Sequence, residues 1–417
     1  MRTSSNTAAP SPNVAANRPA LQPATPDADS PPAVRLLADT LQEAARLNAS
    51  DDLHIEPMEH GWRMRLRVDG VLHELARPPA HLRDAFITRV KVLARMDIAE
   101  RRVPQDGRLR LPIAAGRVED YRVNSLPTLF GEKLVLRPLE ALPADLSLDS
   151  LGLAPGQRDI VDRSIHSPHG LVLVGPTGSG KTMSLYCFLQ LLSAESRNLC
   201  SVEDPAEIQL AGINQVSVRE KAGLTFAVAL RAFLRQDPDV IMVGEIRDEE
   251  TADVAVKAAQ TGHLVLSTLH TNDAPAAIAR LIDIGVEPYN LAAALRLVTA
   301  QRLVRRLCPG CRQAALETPT SLRAAGVSDD QIAHWRPYVP QGCEACHGIG
   351  FRGRVGIHQT MPVSDAMREL IVARAGTHEI ARQAHIERVQ TLREAALARA
   401  FDGTTSLAEA LSATEVA

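Results

Sequence analysis

Hydrophobic and polar positions change period several times along the chain, and each change marks an element. Residues 34–47 carry Leu36, Leu37, Leu41, Ala44 and Ala45 at helical spacing. Residues 63–68 alternate strictly, Arg-Met-Arg-Leu-Arg-Val, which predicts a half-buried strand with a basic outer face. Asp69-Gly70 supplies a turn and residues 71–75 return, so the pair predicts a hairpin. Residues 82–96 read as an amphipathic helix with Phe86, Val90, Leu93 and Ala94 inward. The run 104–108 predicts a turn that presents an arginine. Short strands are expected over 109–112, 121–125 and 133–137. Together these patterns predict a small α+β domain over 34–140. Residues 138–152, with prolines and alternating Leu and Asp, fit a linker.

Beyond the linker the apolar runs become continuous rather than alternating. Residues 171–174 and 240–243 are short apolar stretches rich in branched side chains, as strands buried on both faces require. A third strand runs between His263 and His270, and residues 182–192 read as a helix. This pattern predicts an α/β nucleotide-type domain over 141–305. Residues 306–350 hold paired cysteines. The last segment, 351–417, is expected to be helical from 364 to 413, with a break at 402–406 and a capping box formed by Ser406 and Glu409. Residues 1–33 are rich in Ala, Pro, Ser and Asn without periodicity, so they are expected to be disordered.

Composition narrows the class only a little. A length of 417 residues suits two or three domains, and 45% hydrophobic content is ample for packed cores. A net charge of −3 gives no general attraction to nucleic acid or to acidic membranes. No apolar run reaches the length that spans a bilayer, and no apolar stretch follows Arg2 to make a secretory signal. The chain is expected in the cytoplasm, with any membrane association peripheral and through a partner.

The chemistry begins at Gly175-Pro176-Thr177-Gly178-Ser179-Gly180-Lys181-Thr182, which fits Gly-x-x-x-x-Gly-Lys-Thr, the phosphate-binding loop. Its glycines let backbone N–H groups converge where an anion meets no Cβ. The helix behind it aims its positive end at the same point. Lys181 would reach the β- and γ-phosphates of ATP, and the Thr182 hydroxyl would hold Mg²⁺. A glycine-rich turn that binds nothing needs neither a strand before it nor a Lys-Thr helix start after it. Here all three occur in order.

Glu245 follows the strand 240–243 by two residues, where Mg²⁺ and an attacking water must be managed. It is a candidate base or metal organiser, and a helix-capping acid is the plainer alternative. Glu203, Asp204 and Glu207 follow another short apolar run and could hold Mg²⁺ through water or orient the nucleophile; a solvated loop would have the same composition. His263 and His270 bracket the third strand, and with the polar residues at its end they suggest a γ-phosphate sensor.

Of the six cysteines, Cys187 and Cys200 read as ordinary thiols. Cys308-Pro-Gly-Cys311 and Cys343-Glu-Ala-Cys346 form two knuckles whose thiolates can hold one tetrahedral Zn²⁺. Cys343-x-x-Cys346-His347 also matches a c-type haem attachment site, but haem leaves the first pair unexplained and needs an export signal.

These residues in this order resemble the secretion ATPases of type II secretion and type IV pilus assembly, over about residues 50 to 410. The resemblance rests on the phosphate loop, the acidic box 203–207, the run 230–239, the 244–248 box, the histidine box 261–272 and Pro104-Gln-Asp-Gly-Arg108. It implies an α/β, RecA-like P-loop ATPase domain preceded by a small PAS-like α+β domain, with a zinc-binding insertion and a helical C-terminus. It also implies a homo-hexameric cytoplasmic motor that uses ATP to drive an inner-membrane platform protein, building a pilus or pseudopilus. Arg108 and Arg122 match arginines that close on the phosphates in such rings, with Arg231 and Arg235 as further candidates. The cysteine module is similar to that of assembly ATPases and is missing from retraction ATPases. The family usually has an aromatic residue and Glu where this chain has His358-Gln359, a change expected to alter the contact between the zinc module and the C-terminal part. The competing function is a RecA-like nucleic-acid motor whose zinc ribbon grips DNA, with Arg302, Arg305 and Arg306 just before the ribbon. The slightly acidic chain argues against it, so no nucleic-acid partner is expected. A non-catalytic nucleotide-binding adaptor would not need Lys181, Glu203 and Glu245 together.

Overall fold

A computed structural model of the chain describes residues 31–46, 52–68, 71–114, 117–138, 146–168, 170–175, 179–315 and 319–415. Nearly all of the segment expected to be disordered lies outside these residues. So do the Asp69-Gly70 turn, positions 139–145 of the linker, and Pro176, Thr177 and Gly178 of the phosphate loop. The chain divides into two compact units with the boundary near residue 138.

The first unit starts with α1 (Pro32–Arg46), followed by β1 (Leu53–Met58), β2 (Gly61–Val68), β3 (Val71–Ala76), α2 (Arg83–Leu93), β4 (Gln105–Ala114), β5 (Arg117–Thr128) and β6 (Gly131–Pro138). Its strands make one six-stranded sheet in the order β3-β2-β1-β6-β5-β4. β2 behaves as its alternation predicts: Trp62, Met64, Leu66 and Val68 are buried. Arg63 and Arg65 on the other face bond Glu56 of β1 at 2.9 and 2.8 Å. The predicted turn at 104–108 is instead the start of β4. Gly107 explains how the strand passes there, because a Cβ would lie 2.4 Å from the Ala94 carbonyl oxygen at the end of α2. Lys91 of α2 is buried, which its pattern did not foretell. Its Nζ meets Glu132 at 2.7 Å and the Glu100 carbonyl at 2.7 Å, the pairing that a buried ammonium needs.

The second unit contains α3 (Pro155–Ile165), β7 (Gly170–Gly175), α4 (Lys181–Leu192), β8 (Leu199–Glu203), β9 (Asn214–Ser217), α5 (Phe226–Phe233), β10 (Val240–Val243), α6 (Glu249–Gln260), β11 (Leu264–Thr268), α7 (Ala274–Ile284), α8 (Pro288–Ala294) and β12 (Leu295–Leu307). The cysteine segment holds β13 (Gln313–Ala314), α9 (Pro319–Ala324), α10 (Asp329–His334) and β14 (Tyr338–Val339). After it come β15 (Phe351–Pro362), α11 (Asp365–Val372), α12 (Thr377–Ile386), α13 (Leu392–Phe401) and α14 (Leu407–Ala413).

A seven-stranded sheet runs β15-β12-β7-β11-β10-β8-β9. All neighbours pair in parallel except β15, which is antiparallel to β12. Both faces are covered, which is why the strands read as unbroken apolar runs. Ile241, Val243 and Val265 enter one core with α5, α6 and α7, while Val240, Met242, Leu264 and Leu266 enter the other with α3 and α4. The segment from 351 is therefore not wholly helical: its first twelve residues complete the sheet. The predicted capping box on α14 is only half formed. The Ser406 hydroxyl accepts from Glu409 N at 3.2 Å, but the Glu409 carboxylate turns to Arg305, at 2.6 and 3.0 Å.

Candidate active site and metal centre

Three adjacent strands, β7, β11 and β10, end at the same edge of the sheet and assemble the site. β7 ends at Gly175 and α4 starts at Lys181, so the phosphate motif joins a strand end to a helix start as its chemistry requires. Gly180 has φ +82°, a conformation that favours glycine, and Ser179 is buried. Thr182 is the second residue of α4. Lys181 Nζ makes a long bond of 3.3 Å to the Leu269 carbonyl just past β11. Burial lowers the Lys181 pKa, against the pull of the Glu245 carboxylate, which raises it.

Glu245 stands past the end of β10. Gly244 before it packs close to β8: its N–H donates to the Val202 carbonyl at 2.8 Å. The Glu245 carboxylate pairs with Arg247, and its other oxygen accepts from His270 Nε2 at 2.8 Å. Burial would raise its pKa, but the bonds from Arg247 and His270 win and hold it below the usual carboxylate value. The side chain that caps α6 is Asp248, accepting from Thr251 N at 2.8 Å, so Glu245 is not spent on that helix. Leu269 and His270 thus form a bridge, one residue touching the loop lysine and the next touching Glu245.

The structure corrects two expectations. His263 sits at the opposite end of β11, where its carbonyl accepts from Gly170 N at the start of β7 and its ring bonds the Ala258 carbonyl at 3.0 Å. A strand of five residues, rising about 3.3 Å per residue, separates it from the phosphate loop, so only His270 faces the site. Glu203 is only 4% exposed. Its oxygens accept from Tyr186 at 2.5 Å, Ser201 at 2.7 Å and Gln215 at 3.1 Å. That is the setting of a structural acid tying α4, β8 and β9 together, rather than one open to substrate. Burial beside Glu203 pushes the Tyr186 phenol well up, so it stays a donor. Glu207 is exposed on the following loop, and its backbone N–H donates to the Tyr186 oxygen at 3.2 Å. Asp204 lies 3.9 Å from Arg247.

Arg108 and Arg122 lie in the first unit as direct cross-strand partners on β4 and β5. Both are exposed and make only loose pairs, with Asp120 at 3.4 Å and Asp106 at 3.5 Å. Arg231 pairs with Glu250 at 2.6 Å, and Arg235 donates to the Arg231 carbonyl at 2.8 Å.

Cys308, Cys311, Cys343 and Cys346 converge, with all four sulfurs within 4.8 Å of one another. The Sγ–Sγ distances for 308–343, 311–346 and 343–346 are 3.8, 3.7 and 3.7 Å. A tetrahedral Zn²⁺ with bonds of about 2.3 Å sets its sulfurs about 3.8 Å apart, so the tetrad fits the metal. Backbone N–H groups of Cys343 and Gly350 both donate to Cys346 Sγ at 3.2 Å, as thiolate ligands require. One centre uses both pairs, which haem attachment at the second pair would not. Among the described residues, the side-chain hydrogen bonds of His358 and Gln359 go elsewhere than this module. His358 is buried against the Leu151 carbonyl at 2.8 Å, and Gln359 accepts from Ala274 N at the start of α7. Of the arginines before the first pair, Arg305 is held by Glu409 and Arg302 donates to the Ala413 carbonyl at 2.6 Å.

A doubly covered parallel sheet with a phosphate loop at its carboxyl edge defines a P-loop nucleotide-binding protein. The chain belongs to the Type II/IV secretion system protein family, whose sequence profile matches residues 26–412. It is 47% identical over 389 residues to the type IV pilus assembly ATPase PilB of Myxococcus xanthus, spanning 93% of this chain and 69% of that protein. It is 46% identical over 390 residues to type II secretion system protein E of Aeromonas hydrophila, spanning 93% of this chain and 76% of that protein. The crystal structure of the pilus retraction motor PilT with bound ADP superposes with a TM-score of 0.61 at 26% identity, covering 91% of this chain and 97% of that one.

Among the described residues no helix is long and apolar enough to cross a membrane. Sequence reasoning missed Gln301, a buried polar side chain on β12 that bonds the loop at Ser179 and the helix at Ser184. The sequence signal was slight: one glutamine among the Arg, Thr and apolar residues of 295–307.

Proposed function

We propose that this chain hydrolyses ATP and that the energy drives assembly of a pilus or pseudopilus. The observation that carries the reading is the bridge Lys181–Leu269–His270–Glu245, which joins a phosphate loop to an ionised acid across the carboxyl edge of one sheet. The loop N–H groups and Lys181 bind the β- and γ-phosphates, and Lys181 gives up its long bond to Leu269 in doing so. Thr182 would hold Mg²⁺, which supplies charge neutralisation to the phosphates when bound. Because Arg247 and His270 keep its pKa low, Glu245 is a poor proton sink. It works as a fixed negative charge that orients the attacking water. His270 holds that carboxylate and stands where β11 ends, between acid and loop.

The ring is a homo-hexamer in this reading, and Arg108 and Arg122 supply cations to the developing phosphoryl charge when neighbouring subunits close. Their loose ion pairs leave them available for that exchange. Zn²⁺ sits in the cysteine tetrad and shapes the module. The motor works on the cytoplasmic side of the inner membrane, through a platform protein. The test is turnover of the purified chain and of Lys181→Ala. The variant should lose hydrolysis; substantial turnover would remove the loop from the chemistry.

A further inference from the structure

Nothing in the phosphate-loop motif calls for Gln301, yet the structure places it at the loop. β12 runs parallel to β7 with Ala300 opposite Gly175, so Gln301 lies one position beyond the point where β7 gives way to the loop. The residue is 3% exposed. Its Nε2 donates to the Ser179 carbonyl at 2.7 Å, and its Oε1 accepts from the Ser184 hydroxyl at 2.8 Å. One amide therefore bridges the exit of the loop and the start of α4. A loop that aims its N–H groups at an anion turns carbonyls the other way, and a buried carbonyl needs a donor. The fit is close: a Cβ on Gly180 would stand 3.5 Å from Gln301 Nε2.

Resting on the reading of this loop as the nucleotide site, we propose that Gln301 is a positioning residue that fixes the loop's exit, from Ser179 to Lys181, before nucleotide arrives. It acts through Ser179 and Ser184, fixing the segment that carries Gly180 and Lys181. Preorganised donors bind more tightly because no ordering remains to be done on binding. Methionine at this position has nearly the same shape and neither hydrogen-bonding group. It frees the Ser179 carbonyl and the Ser184 hydroxyl without emptying the core.

The experiment measures ADP and ATP affinity, with Mg²⁺, and the melting temperature without nucleotide, for the full chain and for Gln301→Met, Gln301→Glu, Ser184→Ala and Lys181→Ala. Gln301→Met should weaken nucleotide binding about tenfold and also lower the nucleotide-free melting temperature, because the buried Ser179 carbonyl loses its donor. Gln301→Glu keeps the acceptor for Ser184, sets a carboxylate against the Ser179 carbonyl, and should bind more weakly still. Ser184→Ala removes one arm of the bridge, and a loss of about threefold is expected. Should both Gln301 variants fail to fold, Ser184→Ala decides. Parental affinity in the folded variants, or a lowered melting temperature with unchanged affinity, overturns the proposal. If Lys181→Ala also binds nucleotide normally, the reading of the loop itself has failed. If Lys181→Ala loses binding and the others do not, only the role of Gln301 falls.

Discussion

Single residues decide which charges the fold tolerates. His358 is buried on β15, where desolvation holds its pKa down to about 4, aided by Arg399 and opposed by the hydrogen bond to the Leu151 carbonyl. The folded ring is therefore neutral at pH values where an unfolded histidine, with a pKa of about 6.5, takes a proton. Between those two values the unfolded chain binds more protons than the folded one, so stability falls as pH drops from about 6.5 to 4 and levels off below. Denaturant midpoints measured at several pH values should show this loss in the parent chain and a shallower one in His358→Gln. An equal slope in both would mean that His358 contributes nothing to it. Glu56 shows the opposite balance of burial and partners. Burial there raises the pKa, but hydrogen bonds from Arg65, Arg63 and Lys133 outweigh it and bring the carboxyl to about 2.

Among the elements, β12 connects the most. It lies beside β7 in the sheet and bonds the phosphate loop through Gln301. It then leads directly into Cys308. The cysteine module closes on the C-terminal helices: Leu307 N donates to the Thr404 carbonyl at 2.8 Å, and Arg312 donates to the Gly403 carbonyl at 2.6 Å while lying 4.8 Å from the Tyr338 ring. Trp335 packs edge-on against Phe401. Metal is thus expected to stabilise more than its own knuckles. The purified chain should carry one zinc per subunit. Cys343→Ser should lose it and raise amide exchange in both 306–350 and 399–409; a metal-free parent, or exchange confined to the knuckles, would contradict this.

The sequence made some of these elements plain and hid others. β10 and α4 were legible because a continuous apolar run and a helix start with Lys-Thr have few alternatives. The cysteine pairs were legible from spacing alone. The start of β4 was hidden because Pro104, Asp106 and Gly107 are turn residues, and only the approach of Ala94 explains the glycine within a strand. β15 was hidden by its polar and glycine residues, whose burial depends on pairing with β12. The separation of His263 from the site was hidden because bracketing a strand places two residues at opposite ends of it. Glu203 looked like an active-site acid because spacing does not reveal that Tyr186, Ser201 and Gln215 converge on it.

At the scale of the molecule, the proposed motor needs one acid whose only large contribution is to the chemical step. Glu245 meets that description: it caps no helix, it is ionised, and it reaches the loop lysine through two consecutive residues just past β11. In the proposed ring, where arginines of neighbouring subunits would act on the same phosphoryl group, a subunit that binds ATP without hydrolysing it should stall its neighbours. The central claim is tested by measuring ATP affinity and turnover on one preparation of the full chain carrying Glu245→Gln. The substitution keeps size and hydrogen-bonding shape and removes the charge. ATP affinity should stay within a few fold of the parent while turnover falls by about a hundredfold or more. Turnover near the parental rate would take Glu245 out of the reaction.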